Sequence, residues 1–444
     1  MTDLGVDTAP ALAPRYALVC QGCGWRTEQD HHTVHCPDCG PSAFLRTEYR
    51  ERDLTLAAGA SEADFTGYRA WLPVELRLPL SGLNIGLVHA EALGAELGLR
   101  QLWLLVSGYV PELGATLPTA TFKTLEAAGV MMRVVEQTDR TLIVSSAGNA
   151  GCAVLEIGAQ LEVPGIVIVP ENAREAMCTA ARPGPRAPLL VCLEQATYSD
   201  AIRLVGQVVE RFPDTLVREG GAFNVARRDA MAVPVLRAVR ALHRIPDHYV
   251  QAVGSGTGGV AAHEACLRLL SSGTMSGNGM RLHLVQNEPF TPMVEAWRAG
   301  TPDLVPLSSE EAWERLQQTY STVLANAAPP FGVAGGVYDV LVASDGEMLS
   351  ATNDEARAAC RALNRAHHLE ASPEAGVAFA GLRQLAARRS IHADDTVLVH
   401  VTGAGWWRSV QEMDKVPYPV GLSAHHTDVD AVSRVVARYL DRIA

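Results

Sequence analysis

Three short apolar, β-branched runs of this sequence each break into a glycine-bearing corner, and that recurrence narrows the folds open to it. Residues 141–149 read Thr-Leu-Ile-Val-Ser-Ser-Ala-Gly-Asn, residues 254–259 read Gly-Ser-Gly-Thr-Gly-Gly, and residues 401–405 read Val-Thr-Gly-Ala-Gly. A run that is apolar throughout reads as a strand of a parallel sheet covered on both faces. From residue 123 onward such runs alternate with helical patterns. The spacing predicts helices over 123–135, 150–161, 198–211, 229–243, 259–270, 353–367, 374–388 and 427–442. Strands are expected at 102–106, 141–146, 165–169, 189–193, 249–253, 281–286 and 396–401. This alternation predicts parallel sheets with right-handed crossovers, and two sheets with a ligand between them would account for the 444 residues. Helical periodicity also shows at 88–98. Residues 287–350, with Pro289, Pro292, Pro329 and Pro330, are the least regular stretch and read as a substrate-facing loop region or a dimer arm.

Lys123 stands ahead of all three corners, in Thr119-Ala120-Thr121-Phe122-Lys123. Alone it reads as a surface cation; its interest comes from the corners. Gly254, Ser255, Gly256, Thr257 and Gly258 join a strand to a helix, where glycine lets a ligand approach the backbone and successive amides can cradle a phosphate. The spacing is not the dinucleotide fingerprint and carries no Walker lysine. A phosphate handle without a nucleotide motif suits a small phosphorylated cofactor, with a tight turn as the plain alternative. Ser146, Ala147, Gly148 and Asn149 open another helix, whose start can hold a substrate carboxylate. The Asn149 amide can hydrogen-bond a phenolic oxygen, or simply cap the helix. Thr402 ends a buried strand and can set a hydroxyl against a pyridine nitrogen, leaving it unprotonated where a carboxylate would stabilise pyridinium. A lysine among three such corners is what an enzyme holding the aldehyde of pyridoxal phosphate needs.

The formal charge of −12 argues against a nucleic-acid-binding face. No apolar run approaches the roughly 20 residues of a membrane helix. The first fifteen residues lack a basic start followed by an apolar stretch, so a disordered tail and a cytoplasmic protein are expected. Cys20, Cys23, Cys36 and Cys39 form two Cys-x-x-Cys pairs twelve residues apart, each followed by glycine. Four thiolates at that spacing suit a closed, structural zinc site, with two disulfides as the alternative. His31, His32 and His35, between the pairs, read as solvated loop residues. The other five cysteines read as small buried residues. An acidic chain makes docking of this ribbon on the α/β body the expected arrangement.

Taken in order, Thr-Phe-Lys123, Ser-Ser-Ala-Gly-Asn149, the glycine loop and Val-Thr402-Gly-x-Gly resemble the fold-type II pyridoxal phosphate enzymes of the threonine synthase branch. The segments Gln251-Ala252-Val253, Gln286-Asn287-x-Pro289-Phe290, Ala334-Gly335-Gly336-Val337-Tyr338-Asp339 and Asn224-Val225-Ala226-Arg227-Arg228-Asp229 are closer still to the cysteate synthases. The resemblance runs from about residue 17 to 410. It implies an α/β fold of two open parallel-sheet domains, like the tryptophan synthase β subunit, behind a small N-terminal zinc ribbon. Its division would be a tail over 1–15, a ribbon over 16–50 and a catalytic body over 51–444, with a smaller domain near 120–245. It further implies that Lys123 bonds the cofactor and that Asn149 meets its 3′ oxygen. Residues 254–258 would hold its phosphate, and Thr402 would face its ring nitrogen. The implied reaction is β-replacement in amino-acid biosynthesis. O-phospho-L-serine would lose phosphate through an aminoacrylate and take up sulfite to give L-cysteate, and a homodimer is the implied assembly.

Two positions depart from that pattern. Ala150 stands where relatives place a threonine that binds the substrate carboxylate, and Phe223 where an arginine is expected. Losing a guanidinium that grips an oxyanion through paired hydrogen bonds is not conservative. Arg227 and Arg228 remain candidate anion ligands, or a salt-bridged helix start. Threonine synthase chemistry and β-elimination on the same scaffold stay open. So does a zinc-ribbon interaction protein without activity, which Lys123 argues against.

Overall fold

The computed structural model describes residues 14–75 and 79–444. The tail expected over 1–15 lies outside the described residues but for Pro14 and Arg15, and the Arg15 guanidinium donates to the Val74 carbonyl at 3.0 Å.

Two parallel sheets form the body. One runs in the order Leu216–Arg218, Thr141–Ser145, Gly165–Pro170, Leu189–Glu194, Val420–His425, every pair parallel. The other runs Glu347–Ala351, Arg281–Asn287, His248–Ala252, Thr396–Val401, Gln101–Val106, and closes with Gly86–His89 antiparallel on its edge. All six residues of Gly165–Pro170 and of Thr396–Val401 are buried, which is why these strands read as unbroken apolar runs.

Helix starts follow local chemistry. Thr197 with Asp200, and Thr352 with Glu355, form reciprocal capping boxes that set the helices Tyr198–Arg211 and Asn353–His367. The helix expected from 229 begins earlier, as Val225–Leu242, because the Asn224 side chain accepts from Ala226 N at 3.0 Å. The irregular stretch 287–350 holds three short helices, Pro292–Arg298, Ser309–Gln318 and Val337–Ala343, and the edge strand Glu347–Ala351. The periodicity at 88–98 resolves into the strand Gly86–His89 and the helix Glu91–Leu97.

The cysteine segment is a three-stranded antiparallel sheet, Arg26–Thr27, Tyr16–Cys20 and Leu45–Tyr49, docked on the body. Arg133, fully buried in the helix Lys123–Gln137, reaches Asp30 Oδ2 at 2.8 Å and the Thr33 carbonyl at 2.8 Å. Thr47 and Tyr49 each donate to Asp229 Oδ2 at 2.6 Å. Stripping one partner from the buried Arg133–Asp30 ion pair costs about 3–5 kcal/mol, so this contact above all specifies how the ribbon sits. His32 is buried here, not solvated as expected; burial, then the Arg133 charge, push its pKa down to about 4.

Candidate active site

The C-terminal ends of both sheets open onto one cavity of about 670 Å³. Lys123, the corner Ser146–Asn149, the loop Gly254–Gly258, Thr402 and Arg227 all line it, as do the departures Ala150 and Phe223. Residues scattered over 280 positions of sequence meet because strand ends of adjacent α/β units share one face.

Lys123 is held in register with the third corner by backbone pairing. Phe122 N donates to the Thr402 carbonyl at 3.0 Å, and Ala404 N donates to the Ala120 carbonyl at 3.1 Å. Its Nζ donates to Glu126 Oε2 at 2.6 Å, one helical turn on. Burial holds the amine below the ordinary lysine pKa; Glu126 pulls it back up, and Arg227 adds to the depression. Such a lysine reaches its neutral, nucleophilic form more readily than a solvated one.

At the first corner the Ser146 hydroxyl is turned under its own loop, accepting from Gly148 N at 3.1 Å and Gly151 N at 2.8 Å. Gly148, at φ +155°, occupies backbone space that a side chain rarely enters. Asn149 opens the helix Asn149–Leu161, so the corner that lines the cavity lies at a helix start. In the second corner Gly256 sits at φ +78° before the helix Thr257–Ser271. A Cβ there would stand 2.2 Å from Val337 Cγ2. Ser255 Oγ and Thr257 Oγ1 are 2.7 Å apart.

The two arginine candidates part company. Arg227 lines the cavity, bridging Glu126 Oε1 at 3.1 Å and Glu219 Oε2 at 2.9 Å, with its buried Nε lacking a partner among the described residues. Arg228 is fully buried and lies away from the cavity. Its Nε meets Glu264 at 3.1 Å, and its other nitrogens donate to the carbonyls of Ala222 and Leu45. Its expected role as an anion ligand is therefore corrected in favour of the other reading, a salt-bridged residue at a helix start, which also ties the ribbon to the body.

Other residues of the cavity were not expected. Glu374 is buried beside the third corner, where a Cβ on Gly403 would stand 3.0 Å from its Oε1. Burial raises its pKa, against the pull of its own backbone amide, the Ser372 hydroxyl and the Lys123 charge. Its one sequence signal, an acid in the first turn of a helix after Ser-Pro, is shared by ordinary helix starts. Val34, His35 and Pro41 of the ribbon also reach the cavity. His35 packs edge-on against Phe223, centroids 4.7 Å apart, and Phe223 in turn meets Phe44 at 4.8 Å. Phe223 thus replaces an expected cation with an aromatic wall.

These residues fit pyridoxal phosphate. A half-buried lysine of depressed pKa, glycines at a helix start, and a hydroxyl with a carboxyl at the third corner are groups that could meet its aldehyde, its phosphate and its ring nitrogen. The ribbon also suits a metal. The sulfurs of Cys20, Cys23, Cys36 and Cys39 all lie within 4.8 Å of one another. Thiolates bound tetrahedrally at about 2.3 Å from zinc would stand roughly 3.8 Å apart. Gly22 N and Trp25 N point at Cys20 and Cys23 sulfurs, each at 3.4 Å. Among the described residues no helix is long and apolar enough to cross a membrane.

Comparison with known proteins gives the family. The chain is 41% identical over 407 residues to the cysteate synthase of Methanosphaerula palustris, covering 91% of this chain and 93% of that protein. It is 40% identical over 410 residues to that of Methanoculleus marisnigri, with 91% and 92% covered. Among solved structures it is similar in fold to a threonine deaminase isoform from Solanum lycopersicum, with a TM-score of 0.55, 16% identity, and 74% and 87% covered. Maize serine racemase gives a TM-score of 0.54 at 12% identity, with 76% and 92% covered. Residues 82–403 match the family described as pyridoxal-phosphate dependent enzyme. With a half-buried lysine at the meeting of three glycine corners and relatives alike along nine-tenths of its length, this chain belongs to the pyridoxal-phosphate dependent enzymes of fold type II, in the cysteate synthase family.

Proposed function

We propose that this chain joins O-phospho-L-serine and sulfite to give L-cysteate and phosphate. The observation that carries the reading is the single cavity in which Lys123 faces both an oxyanion-holding corner and a phosphate cradle, in a chain alike to cysteate synthases throughout. Pyridoxal phosphate, when bound, supplies an electron sink for the bonds at the substrate's α-carbon. The chain's own residues do the rest. The amides of residues 254–258 would hold the cofactor's phosphate, Asn149 would meet its phenolic oxygen, and Thr402 with Glu374 would face its ring nitrogen. The helix start at 146–149 orients the substrate carboxylate. Lys123 Nζ takes the α-proton as the Cβ–O bond breaks and phosphate leaves with the electron pair. Sulfite then forms the C–S bond through its sulfur lone pair, and Lys123 returns the proton to Cα. Arg227, whose buried Nε has no partner among the described residues, is the arginine proposed to meet the departing and entering oxyanions, opposite a wall formed by Phe223. In the ribbon, zinc on Cys20, Cys23, Cys36 and Cys39 would be structural.

The test is incubation with O-phospho-L-serine, with and without sulfite, read by mass spectrometry. L-cysteate that requires sulfite and is lost in Lys123→Ala is expected. Pyruvate formed regardless of sulfite, or turnover with phosphohomoserine alone, would overturn the reading.

A further inference from the structure

A second cavity, of about 590 Å³, lies between the ribbon strand Leu45–Tyr49 and the end of the helix Thr257–Ser271. That volume is in the range of small-molecule sites. In a chain of net charge −12 its wall carries five arginines, Arg26, Arg46, Arg50, Arg52 and Arg268, and two carboxylates, Glu48 and Glu51.

Both acids are already committed. Glu48 serves both Arg26 and, at 3.7 Å, Arg46. Glu51 Oε1 accepts from Asp53 N at 3.0 Å, and Arg50 turns to Glu28, outside the wall, at 2.9 Å. Arg52 donates to the Ser271 carbonyl at 3.4 Å, a neutral acceptor. Arg268 is 8% exposed; its Nη2 donates to Thr47 Oγ1 at 2.8 Å and to Asp229, behind the wall. Its Nε and Nη1 have no hydrogen-bond partner among the described residues. A buried guanidinium with two unanswered nitrogens costs free energy that an acceptor would recover. The wall thus sets one buried, under-satisfied guanidinium, Arg268, beside the half-buried Arg46 and the exposed Arg26, Arg50 and Arg52.

We infer that this cavity is a binding site for a small phosphorylated metabolite, distinct from the active site. Guanidinium forks match the geometry of phosphate oxygens, and several around one cavity select a ligand with more than one negative charge. The site touches the catalytic frame at two places. Arg268 lies on the helix whose first residues line the active cavity, and its partner Asp229 lies two residues from Arg227. Occupation would thus bear on helices that the active site also uses.

The probe is inorganic pyrophosphate, titrated calorimetrically into the holoenzyme at constant ionic strength, with citrate as a carboxylate control. The variant is the double substitution Arg46→Ala and Arg52→Ala, at wall positions outside the catalytic cavity, with the cofactor's visible band reporting an intact fold. Saturable pyrophosphate binding that weakens at least tenfold in the variant is expected. Absence of binding, equal affinity in the variant, or citrate bound as tightly as pyrophosphate would each overturn the assignment. None of these readouts depends on which reaction the active site performs.

Discussion

The carboxylate that sets the state of the central lysine is Glu126, one turn further along the same helix. It is buried, 2.6 Å from Lys123 Nζ and 3.1 Å from an Arg227 nitrogen, so one acid answers two cations. Glu126 raises the lysine pKa against burial and Arg227. Replacing it by Gln removes the opposing pull, so the amine should lose its proton at lower pH. Because Lys123 is a free amine only once substrate is bound, the acidic limb of kcat in Glu126→Gln is expected to move to lower pH, and a limb that moves up would contradict this ordering. The expected residues that do line one cavity are those whose sequence signal is local: a lysine before a helix, glycines after a strand. Arg228 misled because its neighbour Arg227 shares its surroundings in sequence but not the direction of its side chain. Glu374 and His35 were illegible because only the meeting of distant segments gives an acid or an imidazole a ligand to face.

Elements carry the site through their ends. Gly256 must be left-handed for the loop to turn into the helix Thr257–Ser271, and Val337 fills the space that its Cβ would occupy. Gly256→Ala is therefore expected to lower affinity for pyridoxal phosphate at least tenfold, through roughly 1–2 kcal/mol of backbone cost plus the clash. Adding Val337→Ala should recover only part of the loss, because it relieves the clash and not the φ angle; titration of the visible band measures both. The strand Thr396–Val401 contributes in another way. His400, 1% exposed, contacts Ser107 Oγ at 2.9 Å and the Tyr249 hydroxyl at 2.8 Å, and burial pushes its pKa down to about 3. Below about pH 6.5 the unfolded chain binds a proton there that the folded chain refuses. The contribution is complete above that pH and is lost as pH falls toward the folded value, at about 1.4 kcal/mol per unit. Urea midpoints should then depend less on pH in His400→Gln than in the native chain between about pH 7 and 5; equal dependence would show that another group carries the effect. Strands covered on both faces were legible from composition alone. Val420–His425 was not, because an edge strand with one solvent face alternates apolar with polar residues, and it lies between turns.

At the scale of the whole molecule the ribbon and the active site are one construction. The ribbon lends Val34, His35 and Pro41 to the cavity wall, and its Phe44 N donates to the Ala334 carbonyl at 2.9 Å, just before the segment that presents Val337 to Gly256. Cysteine spacing made the ribbon legible, and net charge favoured its docking on the body. Its share in the active site was not legible, because that depends on the buried register of Arg133 with Asp30 and of Arg228 with Leu45. We propose that the five-stranded sheet defines the smaller domain, which would then take in Val420–His425 besides the range near 120–245. The ribbon spans the helices Lys123–Gln137 and Val225–Leu242 that bear Lys123 and Arg227. Releasing four thiolates from zinc leaves like-charged sulfurs crowded within 4.8 Å, which must protonate, separate or oxidise. Chelation is therefore expected to lower the melting temperature and raise KM for the amino-acid substrate severalfold, through movement of Val34 and His35. The cofactor band should change little, since Lys123 and the phosphate cradle belong to the body. Verified metal removal with unchanged melting and unchanged KM would show that the ribbon holds its shape by packing alone, without a metal.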